Sequence, residues 1–352
     1  MLGVKVQRPD WPARYALWGL LLLALVLVPT VIDRLLPSFY LALATEMLIM
    51  GLFAMGFDLL MGYTGMISFG HAAFFGMGAY VAGLTMARLG LPFLAAMLLG
   101  ILGATLTAAF VGFFAIRLKS VYFALLTFAF SQIFYQLAVS WTSFTGGFDG
   151  IALSMPMQIG PLNLRDRPTL YFFTLAVVLA CYLCARRVVR SPFGTVLLTV
   201  RENELRAATL GYHVARYKQV AFILSGLLSG IAGTLMVPYQ KFISPDLLFW
   251  ELSGLVIVMV LLGGMGTLWG PLVGGAVVVF LREWLTGVSF IGKHSLLPLG
   301  LIFVVLVIFA PNGLAGLLAR RRQPLLDDPD AAAGELATPR PAAQPLDAEP
   351  RL

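Results

Sequence analysis

Residues 92–116 read PFLAAMLLGILGATLTAAFVGFFAI, a run without a single charged side chain. The hydrocarbon core of a bilayer requires about 20 mainly apolar residues in a helix. Backbone groups in lipid must also find their hydrogen-bond partners within the chain, and an α-helix provides this within one segment. This stretch therefore predicts a helix that crosses a membrane.

The composition of the whole chain agrees with that run. Of 352 residues, 59% are hydrophobic and 12% are charged, and the mean hydropathy is +0.89. A soluble domain carries roughly 25% charged residues, and a disordered chain is much less apolar. The two cysteines, Cys181 and Cys184, lie in one apolar run, which excludes a disulfide framework and favours simple packing over a redox motif. The composition predicts an all-α polytopic membrane protein.

Ten runs have the length and polarity of membrane-spanning helices. The first follows a basic start and is long enough to span, so we expect it to be retained rather than cleaved as a signal peptide. Gly270-Pro271 separates the eighth run from the ninth. The predicted spans are 15–32, 39–60, 69–87, 92–116, 121–140, 169–185, 219–238, 251–269, 272–287 and 297–310.

The distribution of lysine and arginine predicts the orientation, because cytoplasmic segments carry an excess of both. With the N-terminus inside, 15 basic residues fall in inner segments and 6 in outer ones. Both termini are therefore expected in the cytoplasm. The predicted divisions are an N-terminal segment 1–14, a membrane domain 15–316, and a cytoplasmic tail 317–352 that starts basic and becomes rich in Pro, Ala and acids. Such a tail cannot bury a core and is expected to be disordered.

The inner segment 186–218 is longer than a usual helix connection. Within it, residues 201–210 (RENELRAATL) predict a short helix with Asn203 as its cap and Gly211 as its end. Ala207 and Ala208 give it a small face that suits a groove on another protein. The alternative is an amphipathic helix on lipid, but the apolar face is thin. The candidate docking residues are Arg201, Glu204, Arg206, Ala207, Ala208 and Gly211.

Glycines are dense in residues 62–80 (GYTGMISFGHAAFFGMGAY), which permits close helix contacts or an unwound stretch beside a cavity. His71 suits either a tie to a neighbouring backbone carbonyl, which we favour, or a proton relay or ligand contact. Glu46, Arg282 and Glu283 also fall in or near spans and should face the protein interior or an interface. Candidates for a substrate path or for helix packing are Asp58, Gly62, Tyr63, Gly65, Ser68, Gly70 and His71.

The outer segment 141–168 contains Thr145-Gly-Gly-Phe-Asp-Gly150. Glycine and aspartate suit a structural turn, and a docking surface is equally compatible with the sequence.

Catalytic and metal-binding motifs are absent from the sequence, which contains no HExxH, no GxSxG and no Cys/His metal spacing. Gly287 to Lys293 has the spacing of a phosphate-binding loop. However, His294 stands where Ser or Thr should bind magnesium, and the segment follows a membrane helix on the outer side. We therefore expect the chain to bind no cofactor and no nucleic acid, and not to be an enzyme.

Several stretches together resemble the permeases of branched-chain amino acid ABC transporters, LivM type. The most specific is residues 62–75, GYTGMISFGHAAFF. The others follow in family order: Arg117 to Ala124, the turn 145–150, Arg201 to Lys218 with 221–225, Gly263 to Pro271 (GGMGTLWGP), and Ala310 to Gly316. The resemblance runs from about residue 40 to 316.

The resemblance implies a bacterial inner-membrane permease subunit of a binding-protein-dependent importer. Its partners would be a second, LivH-type permease, two cytoplasmic ATPase subunits that bind ATP and magnesium, and a periplasmic substrate-binding protein. The helix 201–211 is similar to the loop with which such permeases enter a groove on the ATPase. Leu255 stands where many relatives carry an acid, which puts a charged role at that position in doubt, and Asp58 stands where some carry Asn.

Other functions are compatible with parts of the pattern. Relatives are associated with leucine, isoleucine and valine, but also with urea, short amides and other small solutes. An ion-coupled secondary transporter should show inverted repeats with paired broken helices. No clear repeat is visible in the sequence, and the long basic inner segment has no purpose in that scheme.

Overall fold

The computed structural model describes residues 39–118, 120–287 and 313–320, together with the isolated positions 29, 300 and 301. These residues are predominantly α-helical. The helices are α1 Phe39–Thr64, α2 His71–Leu89, α3 Phe93–Ala115, α4 Ser120–Ser140, α5 Thr142–Thr145, α6 Arg167–Val189, α7 Pro192–Glu202, α8 Glu204–Thr209, α9 Val214–Gln240, α10 Trp250–Gly263, α11 Trp269–Gly287 and α12 Gly313–Arg320. Four two-residue strands are β1 Ile151–Ala152, β2 Gln158–Ile159, β3 Leu162–Asn163 and β4 Phe242–Ile243.

Six helices in the described part of the chain are long and apolar enough to cross a membrane: α1, α2, α3, α4, α6 and α9. Each coincides with a predicted span, so these six predictions agree with the structure. The span predicted at 69–87 is one continuous helix from His71. The predicted spans 15–32 and 297–310 lie almost entirely outside the described residues, as does the predicted tail beyond Arg320.

The core is built around α1, which packs against α9 and α11. Its C-terminal half is buried on every side, including Leu52, Phe53 and Phe57. A helix that is apolar all round has this position in a bundle. Small residues let the backbones approach: a side chain at Gly51 would meet Leu272 of α11, and one at Gly56 would meet Leu228 of α9.

The glycines in α2 and immediately before it also let neighbouring backbones approach closely. A Cβ atom at Gly70 would run into the backbone of Thr127, one at Gly76 into Leu247 and Leu248, and one at Gly78 into Gly230. The prediction that this segment permits close contacts is therefore confirmed at Gly70. At Gly65 the requirement for glycine is conformational, because its φ of +74° lies in the left-handed region, which other residues rarely adopt.

Segments predicted on the same side of the membrane contact one another. On the predicted outer side, Arg88 donates a hydrogen bond of 3.1 Å to the carbonyl of Ser143, and β1 pairs with β4. On the predicted inner side, Arg201 donates a hydrogen bond to the carbonyl of Gly62. The predicted alternation of the chain between two sides is consistent with these contacts.

The eighth predicted span, 251–269, is wrong. Its helix, α10, has only 14 residues and covers about 21 Å. Before it, the chain from Lys241 descends as a short strand and a 3-10 turn beside α2. Ile243 packs at Gly83 and Leu248 at Gly76, which lie about 9 Å and about 20 Å below the outer end of α2. The α10 helix therefore begins near the middle of the predicted membrane. The break predicted at Gly270-Pro271 lies instead at 264–268, and both residues belong to α11.

A second non-helical segment, residues 65–70, enters from the opposite side. It follows α1 and leads into α2, as 241–249 follows α9 and leads into α10. The two helices meet near their N-termini, where the hydroxyl of Ser253 accepts a hydrogen bond of 2.8 Å from the backbone of Ala72. The two units thus share an element order and run in opposite directions. The likeness is one of element order alone, and the sequence shows no matching repeat.

The outer segment has structure of its own. Thr145 donates a hydrogen bond of 2.5 Å to the carbonyl of Ala138 and accepts one of 3.2 Å from Gly147. Gly146, Gly147 and Gly150 all have positive φ, as a turn of this shape requires. These contacts support the structural-turn interpretation of 145–150. Phe148 at its tip is 73% exposed, so a docking role stays open.

Replacing Gly70 or Gly76 with alanine should destabilise the protein. Each new methyl group would meet backbone or packed side-chain atoms, and overpacking costs about 1–3 kcal/mol. The matched control is Gly287→Ala, since no described atom lies within 4 Å of a Cβ there. The measurement is the thermal transition of the detergent-solubilised protein, followed by fluorescence-detected size-exclusion chromatography. Unchanged transitions in both variants would contradict the packing described for α2.

Candidate functional site: the inner ends of the helices

A buried carboxylate organises the inner end of the bundle. Asp58 on α1 has no exposed surface. Its Oδ1 accepts a hydrogen bond of 2.7 Å from the backbone of Gly266, and its Oδ2 accepts one of 3.2 Å from Leu268. Both donors lie in the turn 264–268, which joins α10 to α11. Burying a charge is costly unless hydrogen bonds compensate for the lost water, and here backbone N–H groups provide that compensation.

The backbone of this turn is shaped around the carboxylate. Gly264, Gly266 and Leu268 have φ of +111°, +76° and +57°. Successive N–H groups in such conformations form a concave anion site, and the anion here is the side chain of Asp58. Leu268 is not glycine, so its positive φ costs energy that the hydrogen bond to Asp58 offsets. On the other side, the hydroxyl of Tyr63 donates to the carbonyl of Gly266 at 2.8 Å.

Arg201 connects this turn to the inner segment of the chain. Its guanidinium donates a hydrogen bond to the carbonyl of Gly62 and lies beside Gly266. It is also within electrostatic range of the Asp58 carboxylate. Glycine at 62 is needed because any side chain there would collide with Asp58 and Gly266. The structure thus brings together Asp58, Gly62, Tyr63, Gly65 and Arg201, which sequence analysis had placed in two separate groups.

The inner segment forms two helices, not one. The helix predicted at 201–210 is divided at Asn203, whose extended backbone (φ −157°, ψ +102°) ends α7 and begins α8. Arg201 therefore belongs to α7. The cap prediction is confirmed, because the Asn203 side chain accepts a hydrogen bond of 2.9 Å from the backbone of Arg206. We call α7 and α8 the inner helix pair.

The predicted end at Gly211 is also confirmed. Gly211 has φ +88°, its N–H bonds the carbonyl of Ala208, and the N–H of Tyr212 bonds the carbonyl of Ala207. These two bonds form a Schellman motif. The chain then turns into α9.

The two alanines of α8 do not form one exposed face, which corrects the sequence prediction. Ala207 is fully buried against Val196, Val200 and Val214. Its small size serves the packing of α8 on α7. Ala208 is exposed, and so are Leu205 (75%) and Leu210 (66%). The exposed apolar residues available to a partner are therefore Leu205, Ala208 and Leu210, and the charged Glu204 and Arg206 are exposed beside them.

The charges of the inner helix pair also have internal roles. Glu204 and Lys218 form an ion pair at 2.5 Å, and the Lys218 side chain is only 8% exposed. This pair fixes α8 to the start of α9. Of the two charged residues of α8 among the candidate docking residues, Glu204 pairs within the chain, whereas Arg206 has an exposed side chain.

His71 joins three helices. Its Nε2 lies 2.7 Å from the hydroxyl of Ser225 on α9, and that hydroxyl donates at 2.6 Å to the carbonyl of Gly56 on α1. Because the Ser225 hydroxyl donates its hydrogen bond to the carbonyl of Gly56, it accepts the hydrogen bond from Nε2 of His71. Phe57, Phe74 and Phe222 surround the ring with edge-to-face contacts. The structure favours a tie between helices, made through Ser225 rather than directly to a carbonyl.

The remaining predicted residues lie in the non-helical segment after α1. Ser68 is buried, and its hydroxyl accepts a hydrogen bond of 3.2 Å from the backbone of Gly70. The backbone of Phe69 donates to the hydroxyl of Thr127 on α4 at 3.2 Å. These bonds hold 65–70 against α4. They do not bring Ser68 to the Asp58 turn.

Two polar features were not assigned a role by sequence reasoning. Tyr239 donates a hydrogen bond of 2.8 Å to Glu46 near the predicted outer side, and Arg282 and Glu283 lie within electrostatic range of Tyr239. Glu251 is exposed in the first turn of α10. Only the mid-membrane start of α10 reveals the position of Glu251, and no sequence pattern indicates that start. Within the described residues, no group of three His, Cys, Asp or Glu side chains is placed to hold a metal ion.

The described helices define a multi-pass membrane protein with a structured inner helix pair and a carboxylate-centred turn. The sequence matches the family described as "Branched-chain amino acid transport system / permease component" over residues 39–310. The chain belongs to this family of ABC transporter permeases, whose members are transport subunits and not themselves enzymes.

Relatives with known names agree. The chain is 29% identical over 318 residues to the high-affinity branched-chain amino acid transport system permease protein LivM of Escherichia coli K12, covering 84% of this chain and 73% of the relative. A probable branched-chain amino acid permease LivH of Methanocaldococcus jannaschii is 27% identical, over 44% and 50%. The ribose import permease RbsC of Haemophilus influenzae is 26% identical, over 34% and 38%. No solved structure matches.

Replacing Asp58 should destabilise the inner end in a graded way. Asp58→Ala leaves the N–H groups of Gly266 and Leu268 buried without an acceptor, at a cost of about 3 kcal/mol or more. Asp58→Asn keeps one acceptor oxygen and should cost about half of that. Asp149→Asn, in the exposed outer turn, is the control. The thermal transition of the solubilised protein should fall in the order control, Asn, Ala. Equal transitions in all three variants would show that the turn does not depend on Asp58.

Proposed function

We propose that this chain is a permease subunit that imports branched-chain amino acids across the inner membrane of a bacterium. It acts with a second, LivH-type permease, two cytoplasmic ATPase subunits that bind ATP and magnesium, and a periplasmic substrate-binding protein. The chain crosses the membrane ten times, with 241–249 and α10 together forming the eighth crossing, and both termini are cytoplasmic. The family match over 39–310 and the LivM relatives support this proposal.

The inner helix pair is the element that contacts the ATPase. It presents the exposed apolar residues Leu205 and Leu210 beside Ala208. An isolated chain gains nothing from keeping two leucines in water, whereas an apolar helix face can bind in a groove. The Glu204–Lys218 ion pair fixes this face to α9, and Arg201 fixes it to the end of α1 and the turn 264–268. A displacement of the inner helix pair by the ATPase would therefore act directly on α9, on the end of α1 and on the turn that joins α10 to α11.

The observation that carries the proposal is the contact of Arg201 with Gly62 and Gly266. This contact joins the inner helix pair, which the ATPase would move, to the helices of the bundle. A related importer for urea, short amides or another small solute is the alternative. An ion-coupled transporter is less well supported, because the His71–Ser225 chain ends at a backbone carbonyl.

Uptake by the reconstituted complex tests the substrate and the energy source together. Proteoliposomes containing both permeases, the ATPases and the binding protein should accumulate labelled leucine, isoleucine and valine only with internal ATP and magnesium. Labelled urea and acetamide should not accumulate. Accumulation driven by a proton gradient without ATP would refute the proposal, and ATP-driven uptake of urea alone would favour the alternative substrate.

Substitutions in α8 test the contact with the ATPase. Leu205→Asp and Leu210→Asp should reduce co-purification of the ATPase and uptake together, because they place a charge in an apolar contact without disturbing internal packing. Ala207→Trp should destabilise the permease itself, since its site is filled. Glu204→Ala leaves Lys218 nearly buried and unpaired, and should cost more stability than Arg206→Ala.

The control for these substitutions is Leu98→Asn on the exposed face of α3, distant in sequence from the inner helix pair. It should leave ATPase binding unchanged. Full ATPase binding and uptake in both Leu→Asp variants would rule out α8 as the contact.

A further inference from the structure

Glu251 carries a carboxylate at the depth of the membrane centre. Leu248, three residues earlier, accepts a hydrogen bond of 3.1 Å from Ser131, which lies next to the middle residue of α4. The ring of Trp250 lies 6.1 Å from that of Phe128, which lies about one turn before Ser131 on α4. Since α4 crosses the membrane from Ser120 to Ser140, these two contacts place the start of α10 halfway across.

The side chain of Glu251 is exposed at this depth. Among the described residues, no Lys, Arg or His forms an ion pair with it, because the only such pair there joins Glu204 and Lys218. A charged side chain at this depth is unfavourable in lipid, and such residues face a water-filled cavity or another polar group. The surface that carries Glu251 is therefore a water-filled surface or an interface, and not a lipid-facing one.

The surroundings of Glu251 form an open patch with apolar walls. One turn further along α10, no described atom lies within 4 Å of a Cβ atom at Gly254. Trp250 is 42% exposed. Across α4, Ile67 and Phe69 are 42% and 37% exposed, and the backbone of Phe69 bonds Thr127, the neighbour of Phe128. We call Ile67, Phe69, Trp250, Glu251 and Gly254 the central patch.

The central patch lies where the two non-helical segments, 65–70 and 241–249, reach α2 and α10. Non-helical backbone at membrane depth is tolerated only where protein buries it or where it lines a water-filled cavity. Gly65, Ile67 and Phe69 are exposed within the first segment. The exposed residues of 65–70 and the exposed carboxylate of Glu251 thus both indicate water at this surface.

We propose that the central patch lines the translocation path and that the Glu251 carboxylate binds the ammonium group of an amino acid in transit. This inference rests on the proposed function. An amino acid carries its positive charge on the α-ammonium group, which a carboxylate matches in charge and hydrogen bonding. Ile67, Phe69 and Trp250 offer apolar contact to a branched side chain.

Water access to position 251 is tested by thiol labelling. The background is the full complex with Cys181→Ala and Cys184→Ser, which removes the two native thiols. Glu251→Cys should react with a membrane-impermeant, positively charged thiosulfonate reagent. Leu102→Cys is the matched control, because Leu102 is 53% exposed in the middle of α3 but lies on a face without charge. It should not react. Absence of labelling at 251 would overturn the proposal.

The role of the charge is tested by uptake and assembly. Glu251→Gln should lower the initial rate of leucine uptake by about tenfold or more, the ratio expected when a hydrogen bond to a charged group is lost. Glu251→Asp should keep most of the rate, and Asp149→Asn should keep all of it. The second permease and the ATPases should co-purify with every variant.

Each other outcome has a distinct meaning. Normal uptake by Glu251→Gln would overturn the proposal. Loss of the second permease from that variant would show that the carboxylate pairs with a cation of that subunit, which also overturns it. If the unaltered complex fails to take up amino acids with ATP, the proposed function fails instead, and labelling at 251 still reports whether water reaches the patch.

Discussion

The buried carboxylate of Asp58 is the interaction on which the inner half of the structure depends. It accepts hydrogen bonds from the N–H groups of Gly266 and Leu268, which compensate for the water that the carboxylate loses on burial. In return, it holds Leu268 at a positive φ that a leucine rarely adopts. These hydrogen bonds fix the position of α1 relative to α10 and α11. Since Arg201 binds the adjacent carbonyl of Gly62, the position of the inner helix pair follows from them as well.

A related constraint explains the middle of the membrane. Two chain segments, 65–70 and 241–249, enter it without α-helical hydrogen bonds, and side chains of neighbouring helices bond backbone groups in or next to these segments: Thr127 for Phe69, Ser131 for Leu248 and Ser253 for Ala72. Glycines at 70 and 76 allow the close approach that these bonds need. The same arrangement leaves a helix start and a carboxylate at the centre. Polar groups at this depth are retained in proteins mainly where they act on a solute.

The sequence predicts well what depends on local chemistry. Six long apolar runs coincide with helices, Asn203 caps α8, and Gly211 ends it, because capping and hydrophobic length are properties of short segments. It predicts poorly what depends on packing. Ala207 looked like half of an exposed face, yet Val196, Val200 and Val214 cover it. The run 251–269 looked like a full span, but nothing in its composition reveals that α10 begins halfway across. Asp58 and Arg201 are 143 positions apart in sequence, so only the fold could show that they serve one turn.

These features combine into a physical account of how force could reach the centre of the membrane. The turn 264–268 is the inner end of α10, and Glu251 lies near the outer end of the same helix. A helix of 14 residues is short and stiff, so a displacement of the turn moves the whole helix and its first residues with it. The outer end of α10 continues into 241–249, which is not an α-helix, and it is held there by the hydrogen bonds between Ser131 and Leu248 and between Ser253 and Ala72. A half-length helix, held by a carboxylate at its inner end and by side-chain hydrogen bonds rather than a continuous helix at its outer end, can change the surroundings of Glu251 without breaking any α-helical hydrogen bond. A full-length span in the same place would have to tilt as a unit against every neighbour.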